Sequence, residues 1–191
     1  MDKLLTELCK IDGFHWIRVL YGYPDRVTDS LLEVMAREPK VVKYIDLPLQ
    51  HASGRVLKEM NRNGNFDSLC ALMQRIRSKV PGVVLRTTLI AGFPGETEDE
   101  AMQTVDLVEK TQFDALFTFI FSPRPGTPAA KMDDPVSREE KQVWFEKLVD
   151  AQNAISAKKH AAYIGRTVKV LVDGESDDEA FPLAARTEGN R

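Results

Sequence analysis

Short apolar runs alternate with longer amphipathic stretches along this chain, and that alternation predicts its secondary structure. Four apolar runs are predicted as strands, at residues 15–21, 42–49, 83–92 and 115–121. The segments between them carry apolar residues at intervals of three and four, as amphipathic helices do. In one of these helices the apolar positions are Phe66, Leu69, Met73, Ile76 and Val80. Strands that alternate with helices imply a parallel sheet with right-handed crossovers.

Local signals mark where three of the helices begin. Thr28 is a predicted N-cap, and the pairs Thr97/Glu100 and Ser137/Glu140 each fit a capping box. The helix that starts after Ser137 is predicted to be long. Its apolar stripe consists of Trp144, Leu148, Ala151 and Ile155.

The order of these elements predicts a partial α/β barrel. Four strand–helix units are too few to close a barrel, and residues 1–13 read as a helix whose preceding strand is missing. We therefore expect residues 1–135 to form the back part of a larger barrel, and residues 136–164 a long connecting helix. Alternation in 167–172, and a second possible strand at 181–186, predict that residues 165–191 begin a small β domain.

Composition excludes several classes of protein. No apolar run approaches the roughly 20 residues that span a bilayer, and residues 1–5 lack the apolar region of a secretory leader. We therefore expect a cytoplasmic protein. Cys9 and Cys70 show no C-x-x-C spacing, so neither a disulfide framework nor a cysteine-rich metal site is predicted. With a net charge of −3, any nucleic-acid contact would require a local basic patch.

The stretch LRTTLIAGFPGET at residues 85–97 carries the strongest chemical signal. A strand ends there in a glycine turn that opens a helix, and α/β enzymes bind ligands at this end of their strands. Gly92 and Gly95 either let the backbone approach a ligand or only permit a tight turn. Strand alternation sends Arg86 and Thr88 to one face and Thr87 to the other, and a buried polar group there needs a hydrogen-bonding partner.

Other candidates follow the second and fourth strands. Gln50 is placed to orient a ligand, whereas a hydrogen-bonded structural role is favoured for His51 over acid–base catalysis. Arg124 lies in a proline-rich loop that either holds it toward a phosphate or carboxylate or is simply a rigid connector. A basic cluster near the end of the long helix either touches RNA phosphate or is a solvated face; its members are Lys158, Lys159, His160, Arg166 and Lys169. The aromatic residues at strand spacing are predicted to be core: Trp16, Tyr44, Phe117, Phe119 and Phe121.

Taken together, five ordered motifs resemble the radical S-adenosylmethionine methylthiotransferases. The motifs are WIRVLYGYP, YIDLPLQHAS, RVLKEMNR, RTTLIAGFPGETEDE and FSPRPGTPAAKMDD. The resemblance implies the last four strands of a six-stranded radical SAM barrel, followed by the start of a TRAM domain. It also implies S-adenosyl-L-methionine and two [4Fe–4S] clusters as cofactors. The family's C-x-x-x-C-x-x-C ligands are not in this sequence, so the chain alone is expected to be inactive and to need the N-terminal segment of the same enzyme as partner.

The resemblance leaves two alternative substrates. Residues 15–97 are more similar to enzymes that methylthiolate an aspartate of a small-subunit ribosomal protein, and residues 117–191 to enzymes that modify tRNA. The tRNA reaction, at C2 of N6-isopentenyladenosine beside the anticodon, is the leading prediction. The ribosomal protein is the alternative, and an inert RNA-binding or interaction module is the alternative of another class.

The resemblance also implies roles for particular residues. Those assigned to the cofactor are Gln50, Arg86, Thr88, Gly92, Pro94 and Gly95. Those assigned to the substrate are Arg124, Lys169 and Arg186.

Overall fold

The computed structural model describes residues 1–190. Its helices are α1 (Asp2–Cys9), α2 (Asp29–Arg37), α3 (Gly54–Glu59), α4 (Phe66–Lys79), α5 (Glu98–Thr111) and α6 (Arg138–Ala161). Its strands are β1 (Ile17–Val19), β2 (Val41–Asp46), β3 (Val84–Ala91), β4 (Ala115–Ile120), β5 (Val170–Glu175) and β6 (Leu183–Thr187). None of the helices among these residues is both long and apolar enough to cross a membrane.

Strands β1 to β4 form one parallel sheet in sequence order, as predicted. β1 is shorter than expected because the chain turns at Tyr21, which has φ 57°. β2 also ends early, at Asp46, two residues before Pro48. Gln50 then pairs once more with Leu89 in a single parallel bridge, so the segment after β2 still follows β3.

The core lies between this sheet and the helices. Alternate residues of β3 are buried, with Leu85, Thr87, Leu89 and Ala91 on the side of the helices. The opposite face carries Arg86, Thr88 and Ile90, as the alternation predicts, and we call it the inner face. This partition reproduces the fold class predicted for a partial barrel.

The prediction that Phe117 and Phe119 are core residues is wrong. Both lie on the inner face of β4, where 48% and 55% of their surfaces are exposed. Alternation shows that two residues share a face, but it does not show whether that face is covered. Tyr44 on β2 is buried, as predicted.

Capping at the helix starts agrees with the sequence. The side chain of Thr28 accepts from the backbone of Leu31. Both predicted capping boxes, at Thr97/Glu100 and Ser137/Glu140, have their reciprocal hydrogen bonds. α6 starts at the expected position and packs against α5 and β4.

The tail forms an antiparallel hairpin of β5 and β6. Both strands are displaced toward the carboxyl terminus relative to the prediction, β5 to 170–175 and β6 to 183–187. After β6 the chain reaches the sheet, where Arg18 donates hydrogen bonds to the Glu188 carbonyl and the Asn190 side chain. The boundaries 1–135, 136–164 and 165–191 stay predictions, although each range contains the predicted kind of element.

Candidate functional site

Two adjoining cavities lie at the carboxyl ends of β1 to β4. The first has a volume of about 590 Å³ and the second of about 750 Å³. Four residues line both: Gln50, Arg62, Thr88 and Phe119. The two cavities therefore form one groove across the strand ends, in the size range of small-molecule sites.

Gln50 is held in a strained conformation at this groove. Its φ is +74°, which is uncommon for a residue with a side chain. Both of its backbone groups nevertheless pair with β3: the N–H donates to the Thr88 carbonyl at 2.9 Å, and the carbonyl accepts from Ile90 at 2.8 Å. Tyr21, also at positive φ, lines the first cavity. Strain that the surrounding structure maintains is typical of ligand sites.

Thr87 has its partners within the protein. Its hydroxyl donates to the Leu47 carbonyl at 2.7 Å and accepts from the Leu49 N–H at 3.2 Å. Thr87 therefore fixes the segment between β2 and Gln50.

His51 has the hydrogen-bonded structural role that the sequence favours. Its Nδ1 accepts from the Ser53 N–H at 2.9 Å, so Nε2 carries the proton and donates to Glu96 Oε1 at 2.9 Å. Both side chains are fully buried. The other Glu96 oxygen accepts from the Phe93 N–H at 2.8 Å, so this carboxylate ties the segment after β2 to the turn after β3.

The glycine turn is stabilised largely from within. Gly92 has φ +76°, and a Cβ there would lie 2.5 Å from side-chain carbons of Lys141, so glycine is required for packing against α6. Gly95 has φ +71°, and its carbonyl accepts from Arg55 at 2.7 Å. Pro94 is buried. Glu96 accepts from the Phe93 N–H, and the capping box uses the Thr97 and Glu100 N–H groups. Phe93 is the turn residue that lines the second cavity.

Arg55 and Glu100 form an ion pair beside the turn. Arg55 Nη2 donates to Glu100 Oε2 at 2.5 Å, and Ser53 donates to Glu100 Oε1 at 2.9 Å. The hydrogen bond from Arg55 is the main reason why the pKa of Glu100 is lowered to about 2. Hydrogen bonds from Thr97 and Ser53 also lower this pKa, whereas partial burial acts in the opposite direction.

Arg86 lies deeper on the inner face, within a cluster from three strands. Its guanidinium stacks 3.7 Å from the ring centroid of Phe117, and its Nη1 donates to the Tyr44 hydroxyl at 3.2 Å. Asp46 lies behind it, with 3.6 Å between Oδ2 and Arg86 Nη1. Asp46 is buried, and within residues 1–190 neither carboxylate oxygen accepts a hydrogen bond. Burial raises the pKa of Asp46, and the charge of Arg86 opposes that rise.

Two further arginines border the groove. Arg62 stacks 5.6 Å from the ring centroid of Tyr23 and donates to the Pro48 carbonyl at 3.3 Å. Arg124 is exposed in its loop and lines the second cavity with Gln50 and Thr88. The structure therefore brings together Gln50, Thr88, Arg86 and Arg124 of the predicted site residues.

Lys169 and Arg186 lie outside the groove, in and beside the tail hairpin. Arg186 pairs with Asp173 of the same hairpin, with 2.5 Å between Nε and Oδ2. In the neighbouring basic cluster, Lys159 pairs with Asp114 at 2.8 Å. These pairs reduce the positive charge available for contact with RNA phosphate, which was one of the two interpretations of the basic cluster.

Sequence reasoning missed Glu96, Asp46 and Arg62 as parts of the site. Glu96 lies in the highlighted stretch, but its partner His51 is 45 residues away, so only the topology joins them. Within residues 1–190, no group of three or more His, Cys, Asp or Glu side chains could hold a metal ion. Cys9 and Cys70 are unpaired thiols on α1 and α4.

Comparison with known proteins identifies what the chain is similar to. The family profile described as the Radical SAM superfamily matches residues 1–108. The ribosomal protein uS12 methylthiotransferase RimO of Anaeromyxobacter sp. (strain Fw109-5) is 46% identical over 97% of this chain and 40% of its own length. The proteins of the same name from Geobacter sulfurreducens and Desulfitobacterium hafniense are 43% and 40% identical, over 98% and 100% of this chain. The chain spans about two fifths of the length of these relatives.

Solved structures share the fold at low identity. Coproporphyrinogen III oxidase (HemN) from Escherichia coli, a radical SAM enzyme, superposes with a TM-score of 0.60 and 18% identity, over 87% of this chain and 39% of that one. The radical S-adenosylmethionine methyltransferase TsrM from Kitasatospora setae gives 0.55 and 16%, over 68% of this chain and 26% of that one.

Proposed function

The chain belongs to the radical SAM superfamily, in its methylthiotransferase family, and from that premise we propose that it is part of an enzyme that methylthiolates ribosomal protein uS12. The observation that carries the proposal is the 46% identity, over almost the whole chain, to a relative named for that reaction. The modified side chain would be an aspartate of uS12. The enzyme would act in the cytoplasm.

The ribosomal-protein alternative is therefore preferred to the tRNA reaction that led the sequence-based predictions. The relatives compared above carry the ribosomal-protein name. The tail hairpin agrees with this choice, because it and its loop are rich in carboxylates: Asp173, Glu175, Asp177, Asp178 and Glu179. Carboxylates repel RNA phosphates, and the basic residue Arg186 is already paired with one of them.

The groove fits S-adenosyl-L-methionine, which the family implies. It offers the volume of a small-molecule site, polar side chains on Gln50 and Thr88, and an apolar wall at Ile90 and Phe93. We propose that Gln50 and Thr88 hold the cofactor, toward the turn that contains Phe93. In this family the cofactor supplies the radical that abstracts hydrogen from the substrate. The role of this chain is to bind and orient, with His51 and Glu96 fixing the turn.

The described residues do not fit a [4Fe–4S] cluster, which the family also implies. Such clusters are held by several cysteine thiolates. Residues 1–190 offer Cys9 and Cys70, on different helices, and no group of ligands around either. No step through a cluster is assigned to this segment.

Mass spectrometry of uS12 tests the proposal. The protein would be purified from ribosomes of the source organism, with the gene for this chain intact and deleted. We expect a methylthio group on one aspartate of uS12 in the intact strain and no such group in the deletion strain. Mass spectrometry can detect the difference because the methylthio group stays covalently attached to uS12. Methylthio-adenosine from tRNA of the same strains is the control and should not change.

Two results would contradict the proposal. One is unmodified uS12 in the intact strain. The other is loss of methylthio-adenosine from tRNA in the deletion strain while uS12 keeps its modification, which would return the assignment to tRNA.

A further inference from the structure

The chain after β6 lies against the inner face of the sheet, away from the groove. The turn 187–190, which we call the tail turn, is held there by the guanidinium of Arg18 on β1. This guanidinium has three acceptors: the Thr187 carbonyl at 3.4 Å, the Glu188 carbonyl at 3.2 Å and the Asn190 side chain at 3.2 Å. Because one planar fork of donors serves three acceptors within four residues, the tail turn is bound in a defined position.

The tail turn also packs closely against the sheet at Gly189. A Cβ at this position would lie 2.8 Å from Cγ2 of Val84, the first residue of β3, so a side chain fits only if the turn or the strand moves. Val84 alternates with the buried Leu85 and pairs in register with Tyr44 of β2. The tail turn therefore covers the inner face at the amino-terminal end of β3.

Arg18 also covers the ring of Tyr44. Its guanidinium carbon lies 5.3 Å from the ring centroid, and Tyr44 is only 1% exposed. Phe117 lies on the inner face too, yet 48% of its surface is exposed. The inner face is thus dry at β2, where Arg18 lies on it, and open to water at β4. If Arg18 lost its acceptors on the tail turn, hydration of the guanidinium would draw it away from the ring.

Tyr44 in turn holds an arginine of the groove. Its hydroxyl accepts from Arg86 Nη1 at 3.2 Å, and Arg86 lines the first cavity. As long as Tyr44 is buried, water does not compete with Arg86 for this hydroxyl. An unbroken series of contacts therefore runs from the tail turn through Arg18 and Tyr44 to the groove.

We propose that Arg18 is a positioning residue that couples the tail to the groove: it seats the tail turn, keeps Tyr44 buried and so holds Arg86 in place. The two states of the device are the tail turn seated and the tail turn released. Because coupling is reciprocal, a ligand that binds Arg86 in its held position would also favour the seated tail. The inference rests on the proposed function only in taking the groove as the site of the cofactor.

NMR of the 191-residue chain tests the coupling without cofactor or substrate. The nuclear Overhauser contact between position 189 and the Val84 methyl groups reports whether the tail turn is seated, and the Nε–Hε signal reports the surroundings of Arg86. Gly189→Ala disturbs the tail turn and changes no residue of the inner face. We expect it to weaken the contact and to shift the Arg86 signal. Gly174→Ala in the same hairpin is the matched control and should leave both unchanged, since a Cβ there would meet no non-neighbouring atom of residues 1–190 within 4 Å.

Two further variants trace the path of the coupling. Arg18→Gln should weaken the seating of the tail turn by about tenfold, the equivalent of one charge-assisted hydrogen bond, and should shift the Arg86 signal in the same direction as Gly189→Ala does. Tyr44→Phe keeps the ring but removes the acceptor of Arg86. When Tyr44→Phe is already present, Gly189→Ala should therefore no longer shift the Arg86 signal.

Several outcomes would overturn the proposal. These are an absent contact with Val84 in the wild-type chain, an Arg86 signal that stays in place when the tail turn is released, equal effects of the two glycine variants, or a shift that persists after Tyr44→Phe. If Arg18→Gln unfolds the chain, Gly189→Ala keeps the test, because the inner face stays intact. Unmodified uS12 in the intact strain would instead count against the proposed function, so the two failures are distinguishable.

Discussion

Replacing Glu96 with glutamine changes one atom in a buried hydrogen-bond chain and should destabilise the fold measurably. The carboxylate accepts from two donors, the Phe93 N–H and His51 Nε2–H. His51 cannot reverse its role, because its Nδ1 already accepts from the Ser53 N–H. A glutamine has one acceptor oxygen, so one of the two donors loses its partner and faces an NH₂ group.

The magnitude follows from the number of donors left unsatisfied. One buried donor without an acceptor costs about 1–3 kcal/mol, which is the expected loss for Glu96→Gln. Glu96→Ala orphans both donors and leaves a cavity, so we expect about 3–5 kcal/mol. Glu98→Gln is the matched control, since Glu98 is exposed and pairs with Lys147 on the surface; its expected effect is below about 0.5 kcal/mol.

Urea unfolding followed by circular dichroism measures all three variants. The free energy of unfolding comes from linear extrapolation, and the slopes should agree if the variants unfold in the same way. A loss for Glu96→Gln no larger than that of Glu98→Gln would refute the reasoning. It would mean that the buried contact between the two strand ends contributes nothing to stability.

Three further predictions concern the residues around the groove. Because Arg55 lowers the pKa of Glu100 to about 2 from 4.5, this pair stabilises the fold above pH 4.5 and the stabilisation is lost as the pH falls toward 2. Glu100→Gln should therefore lower the urea midpoint at pH 7 but not at pH 2; parallel curves for the two proteins would contradict this. Thr87→Val should lower the free energy of unfolding by about 1–3 kcal/mol, because the backbone after β2 loses both hydrogen bonds to the Thr87 hydroxyl. Hydrogen exchange in that segment should become faster, and unchanged exchange would count against the role given to Thr87. Gly92→Ala should destabilise the fold through its positive φ and its clash with Lys141. Lys141→Ala should relieve part of that loss in a double-mutant cycle, and strict additivity would show that the clash is absent.

Local signals explain why much of the fold could be predicted. The capping boxes at Thr97/Glu100 and Ser137/Glu140 join residues three positions apart, and strand alternation separates Arg86 from Thr87 without knowledge of the rest of the fold. The sequential order of the strands agrees with two general rules, that consecutive strands tend to be neighbours and that parallel crossovers are right-handed.

The site was less predictable because its contacts join distant residues. Nothing in the sequence around His51 indicates that its partner is Glu96 rather than another acid. The exposure of Phe117 depends on what covers the inner face, which the residues of β4 do not encode. The proposed substrate likewise rests on comparison with relatives, because two halves of the chain resembled enzymes with different reactions.

The order of the strands has a consequence for synthesis on the ribosome. In the four-stranded sheet, β2, β3 and β4 each pair with the strand before them in the chain, so a new strand finds its neighbour already made. The sheet can then grow vectorially, one strand and helix at a time, before α6 packs against β4 and the tail reaches Arg18. Contacts close in sequence shorten the search for a parallel partner, which is otherwise slow. We therefore expect protease protection of nascent chains to appear in steps, as β2, β3 and β4 emerge in turn.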